Sequence, residues 1–135
     1  MKFQPDTLDG VNVITRHESS RVWVGSTPFE SSVLVPWRGS VVNWPASSLA
    51  ELAAEHFEQI AQWSPEAPEV VIFGSGPRLR FVAPALQRAL MSRRIGMETM
   101  DTAAACRTFN VLASEGRRVL AALLILGPGV EQESS

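Results

Sequence analysis

Two short, wholly apolar segments constrain the fold of this chain more than any other feature: VVIF at residues 70–73 and VLAALLIL at residues 119–126. Neither segment alternates apolar with polar residues. Each is therefore typical of a strand that is buried on both faces, as in a parallel sheet covered by helices. The sequence around them should then supply those helices.

Helical patterns lie before, between and after these segments. Apolar residues recur at helical spacing over residues 49–63, where Ser48 and Glu51 have the spacing of a capping box and Pro65 ends the pattern. Pro84 is suited to the first turn of a second helix, which we expect to stop at Gly96. A short strand over residues 97–100 precedes a third helix, which is capped by Asp101 or Thr102 and ends at Gly116.

The first third of the chain reads as β-structure. Apolar stretches at residues 11–14, 21–24, 32–35 and 41–44 are separated by turn signals, which predicts an N-terminal antiparallel meander. The order meander, then α-β-α-β-α-β, predicts an α/β fold with helices on the faces of a parallel or mixed sheet. We expect one domain over residues 1–126 and a flexible polar tail over residues 127–135.

Composition excludes several classes of function. The net charge of −2 and the pI near 5.7 argue against a nucleic-acid-binding protein, which needs a clustered basic excess. One cysteine excludes an intrachain disulfide and a CxxC zinc site, and two histidines exclude a histidine-rich metal site. We therefore expect no metal and no cofactor. The N-terminus lacks the apolar core of a signal peptide, and residues 119–126 are too short to span a bilayer, which predicts a cytoplasmic protein without a transmembrane segment.

The single cysteine, Cys106, is the first candidate for chemistry. On a helical projection it lies at the edge of the apolar stripe formed by Phe109, Leu112 and Ala113, where a small hydrophobic side chain belongs. It is more than one turn from the predicted cap, so the helix dipole does little to favour a thiolate. A structural cysteine is the preferred interpretation, and a redox-active thiol is the alternative.

The turn after the first buried strand is the second candidate. Gly74, Ser75 and Gly76 follow that strand, and the carboxyl ends of strands are where open α/β sheets bind ligands. The segment fails the dinucleotide fingerprint and lacks a phosphate-binding lysine. Arg78 and Arg80 could still hold a carboxylate or phosphate there, although a tight turn with two solvated arginines is the simpler interpretation.

Each of the other polar candidates has a structural interpretation as well as a functional one. Asp101 could orient a ligand in the same crevice, but a helix cap explains it. Arg107 and Asn110 are predicted on the outward flank of the third helix, on a solvated face or in a rim contact. His17 is expected in or just after a strand, at a surface turn rather than as a catalytic base. His56 is expected to pack near the apolar stripe of the first helix.

Two stretches of sequence resemble a known family. Residues 72–76 with Phe81, Pro84 and Gly96 resemble its G-(S/T)-G, F-x-x-P and I-G signature, and residues 101–117 carry the longer run D-T-x-x-A-C-x-T-F-N-x-L-x-x-E-G-R. The chain thus resembles the small α/β domains that include the mitochondrial complex I assembly factor 3 and the adipogenesis-associated domain protein. The resemblance implies a three-layer α/β/α sandwich with a mixed central sheet and additional β-structure.

The same resemblance implies a protein partner rather than a reaction. The best-described role of the family is to assist assembly of a respiratory NADH dehydrogenase, and it offers no catalytic residues to carry across. Positions that match the family's sequence pattern are candidates for a surface or pocket shared with the family: Gly74, Gly76, Asp101, Thr108, Asn110 and Arg117. The first hypothesis is a non-enzymatic binding or assembly factor. The alternative is a small-molecule, anion-binding protein or enzyme that uses the crevice near Gly74–Gly76 and Asp101.

Overall fold

The structure, a computed structural model, describes residues 10–125 and places eight strands and three α-helices in that range. In chain order the elements are β1 (Ile14–Glu18), β2 (Arg21–Val24), β3 (Thr27–Phe29), β4 (Val33–Pro36), β5 (Val42–Asn43), α1 (Ala54–Ala61), β6 (Val70–Gly74), α2 (Arg88–Ser92), β7 (Gly96–Met100), α3 (Thr102–Ser114) and β8 (Val119–Leu123). The predicted tail over residues 127–135 lies outside the described residues.

A mixed five-stranded sheet forms the centre of the fold, with strand order β5-β4-β8-β6-β7. Strand β6 runs parallel to both β7 and β8, whereas β4 is antiparallel to β5 and β8. Strands β1, β2 and β3 form a separate antiparallel sheet. The predicted meander is therefore divided: its first strands pair with one another, and the last two extend the central sheet.

Alternation along the buried strands supplies two different cores. Val71 and Phe73 of β6 face the layer that contains α1 and α2, and Ile72 faces α3 and the small sheet. In β8, Leu120 likewise faces the layer that contains α1 and α2, and Ala121 faces α3 and the small sheet. Up to Ile125, both apolar segments are thus buried on both faces, as predicted, because helices or a second sheet cover each side. The three-layer α/β/α arrangement is confirmed.

Helix α1 begins later than the sequence pattern predicted. Residues 49–51 form only a 3-10 turn, and the Glu51 carboxylate accepts hydrogen bonds from Ser47 N (2.8 Å) and Ser47 Oγ (3.1 Å) instead of capping at Ser48. The α-helix starts at Ala54, where His56 Nδ1 accepts a hydrogen bond from Ala53 N at 2.9 Å. The other ring nitrogen of His56 lies 3.0 Å from Pro45 O, so this buried histidine joins the helix start to the preceding loop.

The end of the second helix also differs from the prediction. Pro84 does begin a helical turn, but Gly96 is the first residue of β7 and not the helix stop. The stop is Arg94, with a left-handed φ of 59°. Arg94 N donates to Met91 O (3.0 Å) and Ile95 N to Leu90 O (2.9 Å), the two hydrogen bonds of a Schellman motif.

Helix α3 ends in the same motif with the expected glycine. Gly116, with a φ of 84°, donates to Ala113 O at 3.0 Å, and Arg117 N donates to Leu112 O at 3.0 Å. Glycine adopts this backbone conformation without steric cost. The two helix ends therefore differ in one respect: α2 places an arginine where α3 places a glycine.

Candidate functional site

The predicted crevice exists at the carboxyl ends of β6, β7 and β8. A cavity of about 150 Å³ opens there beside the N-terminus of α3. Gly76, Asp101, Thr102 and Leu124 follow the three strand ends and line it, together with residues 17–19 of the β1–β2 hairpin. The structure thus brings together Gly76 and Asp101, which the sequence placed in one crevice.

Gly74 allows α3 to approach β6 closely. A Cβ atom at this position would lie 2.9 Å from Leu123 Cδ2 and 3.1 Å from both Ala105 Cβ and Thr102 Cα. Two of these atoms belong to the first turn of α3 and one to β8. The absence of a side chain at Gly74 is therefore what lets the helix start against the strand end.

Ser75 holds the loop that follows β6. Its backbone N donates to Met100 O at 2.9 Å, and its Oγ lies 2.7 Å from Arg78 O and accepts a hydrogen bond from Arg80 N at 3.0 Å. The side chain is buried. Ser75 therefore stabilises the loop conformation and has no free face toward a ligand.

Asp101 and Thr102 have different structural roles at the start of α3. Asp101 is the N-cap, and its Oδ1 accepts a hydrogen bond from Ala104 N at 2.9 Å. Thr102 Oγ1 accepts from Gly76 N at 2.9 Å and donates to Leu124 O at 3.3 Å, while Thr102 N donates to Gly76 O at 2.9 Å. Thr102 therefore joins the ends of β6 and β8 to the helix, a role that no sequence signal beyond its place beside the cap could show.

The charge of the cavity does not suit an anion. Two carboxylates, Glu18 and Asp101, belong to its lining, and His17 is the one basic side chain among the described lining residues. Arg78 and Arg80, the predicted anion ligands, do not line it. Its volume is also below the roughly 300 Å³ from which small-molecule sites usually begin.

Cys106 is a buried side chain of the core between α3 and the sheet. It is 2% exposed, and desolvation by burial raises the pKa of its thiol to about 12, although the nearby Arg107 guanidinium acts in the opposite direction. A thiol with this pKa stays protonated at neutral pH and is a poor nucleophile. The structural interpretation of Cys106 therefore fits its surroundings.

Asn110 is half-buried, so the expectation of a solvated side chain is wrong for it and the alternative of a contact at the rim of the helix fits. Its Oδ1 accepts a hydrogen bond from Ile14 N at 2.8 Å, and its Nδ2 donates to Ile14 O at 2.9 Å. This side chain therefore binds the backbone of β1 and holds the small sheet against α3. Thr108 lies half-buried on the same helix, and Arg107 is exposed as expected.

Arg117 lies at the opposite edge of the sheet, where β6 and β8 begin. Its Nε forms a salt bridge with Glu69 Oε2 at 2.7 Å. This hydrogen bond from Arg117, followed by one from Arg118 N, holds the pKa of the Glu69 carboxyl below its usual value. Apart from Arg78 and Arg80 in the loop after β6, the candidate residues thus fall into three groups: the crevice, the inner side of α3 and the far edge of the sheet.

A second cavity, of about 420 Å³, lies near that far edge. The half-buried indoles of Trp37 and Trp63 line it together with Val42, Arg38 and Glu66. The sequence did not single it out, because its residues come from two loops and a two-residue strand that no motif connects. Within residues 10–125 no three histidine, cysteine or acidic side chains gather as a metal site, and no helix there is long and apolar enough to cross a bilayer.

Comparison with known proteins identifies the family. The model of a family described as a protein of unknown function (DUF498/DUF598) matches residues 14–124. This chain belongs to the DUF498/DUF598 family. The match covers the eight strands and three α-helices that the structure places within residues 10–125.

Curated relatives carry the name NADH dehydrogenase [ubiquinone] 1 alpha subcomplex assembly factor 3. The protein from Bos taurus is 39% identical over 113 residues, which are 82% of this chain and 59% of the bovine protein. The Homo sapiens protein is 37% identical over 90 residues, which are 67% of this chain and 48% of the human protein. The chain therefore spans about half the length of the curated relatives that it matches.

Solved bacterial structures share the fold along almost the whole chain. A crystal structure from Bordetella parapertussis has a TM-score of 0.80 at 34% identity and covers 88% of this chain and 99% of that chain. A solution structure from Bordetella pertussis, described as an Mth938-like domain, has a TM-score of 0.77 at 32% identity and covers 94% of each chain. The shared fold therefore extends over nearly the full length of both Bordetella chains.

Proposed function

We propose that this DUF498/DUF598 protein is an assembly factor for a respiratory NADH dehydrogenase and that it acts by binding protein subunits rather than by catalysis. The observation that carries the proposal is the 39% identity over 113 residues with the bovine complex I assembly factor 3. Identity of this extent over a whole domain supports a related binding role, whereas the unmatched part of the longer bovine protein leaves the choice of subunits to experiment.

The contacts of the candidate residues support a binding role. Ser75, Thr102 and Asn110 have polar side chains that could have served a reaction, and each is hydrogen-bonded within the fold. The Cys106 thiol is buried and protonated. Catalysis by general acids, bases or nucleophiles needs such groups within reach of a substrate. Here Ser75 holds the loop after β6, and Asn110 holds β1 against α3. Thr102 joins α3 to the ends of β6 and β8, and Cys106 packs between α3 and the sheet.

A deletion strain tests the proposal directly. We expect native gels of membranes from that strain to contain less fully assembled NADH dehydrogenase, and an affinity-tagged protein to co-purify subunits of that complex. Re-expression of the wild-type chain should restore assembly. Normal amounts of assembled enzyme in the deletion strain, together with no respiratory subunit in the co-purification, would rule out the proposal.

The cytoplasm is the location that we propose for this protein. Cell fractionation followed by immunodetection tests this part separately. The protein should appear in the soluble cytoplasmic fraction or on the cytoplasmic side of the membrane, and recovery from an extracytoplasmic compartment would contradict it.

A further inference from the structure

The arginines of this acidic protein are concentrated in one part of the chain. Residues 70–97 contain five of the twelve cationic side chains and not one aspartate or glutamate, although the protein as a whole has a net charge of −2. The five are Arg78, Arg80, Arg88, Arg93 and Arg94. Such a segment creates a local positive potential that the net charge conceals.

Helix α2 presents part of this charge to solvent. Its Leu90 is fully buried in the core, whereas Arg88 and Met91, three residues apart on the helix, are exposed. Arg93 and Arg94 follow directly and are exposed as well. Within residues 10–125 none of these three arginines forms a salt bridge. Their charge is not neutralised within the described fold.

The loop between β6 and α2 also combines arginine with exposed apolar side chains. Leu79 is 52% exposed and Phe81 is 71% exposed, and Arg80 lies between them. With Met91, at 59%, these make three of the five large hydrophobic side chains that are exposed in residues 10–125. We call residues 78–81 and the exposed side chains of residues 88–94 the basic surface.

This combination of residue types is that of a protein interface. Interfaces between proteins are enriched in aromatic residues, methionine and arginine, and their centres are depleted of lysine, aspartate and glutamate. The basic surface holds a phenylalanine, a methionine and five arginines, and it has no lysine or acidic residue. Arginine also binds carboxylates through two parallel hydrogen bonds, which favours an acidic partner.

The neighbouring helix limits how broad the partner can be. Helix α1 packs beside α2 on the same face of the sheet and exposes Glu55 and Glu58. Since α1 packs against α2, the positive potential of α2 is bordered by these carboxylates and does not extend over the whole face. This favours a narrow acidic segment over an extended polyanion such as a duplex nucleic acid or an anionic bilayer.

The backbone conformation of Arg94 also supports a functional role for this surface. Arg94 occupies the left-handed position of a Schellman motif, where α3 has Gly116. A non-glycine residue in that conformation is unfavourable and suggests a use for its side chain. The backbone conformation of Arg94, considered apart from its charge, is therefore a second reason to regard this surface as functional.

We propose that the basic surface binds an acidic segment of a partner protein, with carboxylates on the arginines and apolar side chains covering Phe81 and Met91. The inference goes beyond the assembly role, which does not specify a surface. It also holds for any protein partner, so it can be tested without a respiratory complex.

The test measures binding of a fluorescein-labelled peptide in which glutamates are interspersed with leucine and phenylalanine. The double charge reversal Arg88→Glu/Arg93→Glu should weaken binding about tenfold at physiological salt. The control Arg16→Glu/Arg107→Glu changes the net charge equally but lies outside the basic surface, and it should bind as the wild type does. Thermal unfolding monitored by circular dichroism establishes that both variants are folded.

A second pair of variants separates apolar contact from charge. Met91→Ala should weaken peptide binding severalfold, whereas Val111→Ala, at an equally exposed site on α3, should have no effect. The proposal is overturned if the wild type does not bind the peptide, if both charge reversals weaken binding equally, or if Met91→Ala has no effect. Tighter binding to phosphatidylglycerol vesicles or to a DNA oligonucleotide than to the peptide would also overturn it and would identify the other class of partner.

Failure of this inference and failure of the assembly proposal are distinguishable. A normal respiratory complex in the deletion strain with peptide binding intact would reject only the assembly role. Loss of assembly in the deletion strain, fully restored by the Arg88→Glu/Arg93→Glu variant, would reject only the role of the basic surface.

Discussion

Asn110 of α3 binds both backbone groups of Ile14 in β1, accepting from its N–H at 2.8 Å and donating to its carbonyl at 2.9 Å. One side chain thereby provides the two hydrogen bonds that a neighbouring strand would make. The contact joins residues 96 positions apart and holds the small sheet on the central domain. Ile14 itself is buried in the core beside α3, so the polar contact and the apolar packing depend on the same approach.

Replacement of Asn110 should therefore destabilise the whole domain. We expect Asn110→Ala to lower the free energy of unfolding by about 2–3 kcal/mol, because two backbone groups lose their partners. Urea denaturation measures this difference. Ser114→Ala is the control, since Ser114 lies on the same helix and is exposed, and its change should stay within about 0.5 kcal/mol. Equal stability of the two variants would contradict the role assigned to Asn110.

Substitution of Gly74 should separate the helix start from the strand end. In Gly74→Ala the new Cβ would lie 2.9 Å from Leu123 Cδ2 and 3.1 Å from Thr102 Cα, an atom of the backbone that cannot easily move away. We expect a loss of about 1–3 kcal/mol in unfolding free energy. Gly96→Ala is the matched control, because nothing lies within 4 Å of its added Cβ and its φ is not positive. A neutral Gly74→Ala would show that α3 can move outward without cost.

The two helix ends predict opposite effects of exchanging arginine and glycine. Arg94→Gly should stabilise the protein by about 1 kcal/mol, since it removes a left-handed arginine at a φ of 59°. Gly116→Arg should destabilise it by a similar amount, because it creates the same strain at a φ of 84°. Melting temperatures of the two variants measure both effects. A loss of stability in Arg94→Gly would mean that the arginine side chain makes a compensating contact.

The buried thiol predicts a specific sensitivity to alkaline pH. Folding raises the pKa of Cys106 from 9.0 to about 12, so the thiol ionises in the unfolded chain before it does so in the folded protein. Its contribution to stability is therefore complete below pH 9.0 and is lost as the pH rises toward 12. The chain has no tyrosine and a single lysine, Lys2, so few other groups titrate in this range.

Urea denaturation at a series of alkaline pH values checks this expectation. The wild type should become progressively less stable over the range, whereas Cys106→Ala, although about 1 kcal/mol less stable at neutral pH, should show a flatter dependence. In the native wild type, thiol-specific labelling should be slow and should become rapid on addition of denaturant. Parallel pH profiles for the two proteins would contradict burial as the cause.

Features encoded within a few residues could be predicted from the sequence. The apolar run that includes Phe73 predicted a strand buried on both faces, and Asp101 was correctly expected at the start of a helix because capping depends only on neighbouring amides. Gly116 was likewise correct as a helix end. In each case the sequence signal and the contact that it reports lie within one turn of the chain.

Features that depend on distant contacts could not be predicted. The start of α1 depends on the ring of His56, which reaches Pro45 O in another loop, and the position of Asn110 depends on a strand at the other end of the chain. The sequence pattern does not identify Arg94 as a helix end, because glycine is the residue expected at a helix stop and Gly96 stands two residues later. The charge of the crevice depends on a hairpin, residues 17–19, that no motif connects with the Gly74–Gly76 turn.

The arginine at the end of α2 has a consequence for laboratory evolution. Selection of a variant library for heat resistance alone should replace Arg94 with glycine or asparagine, the residues that fit its backbone best. Selection of the same library for retention of a partner should keep the arginine. The residue selected at position 94 therefore shows whether a variant was selected for thermal stability or for binding to its partner.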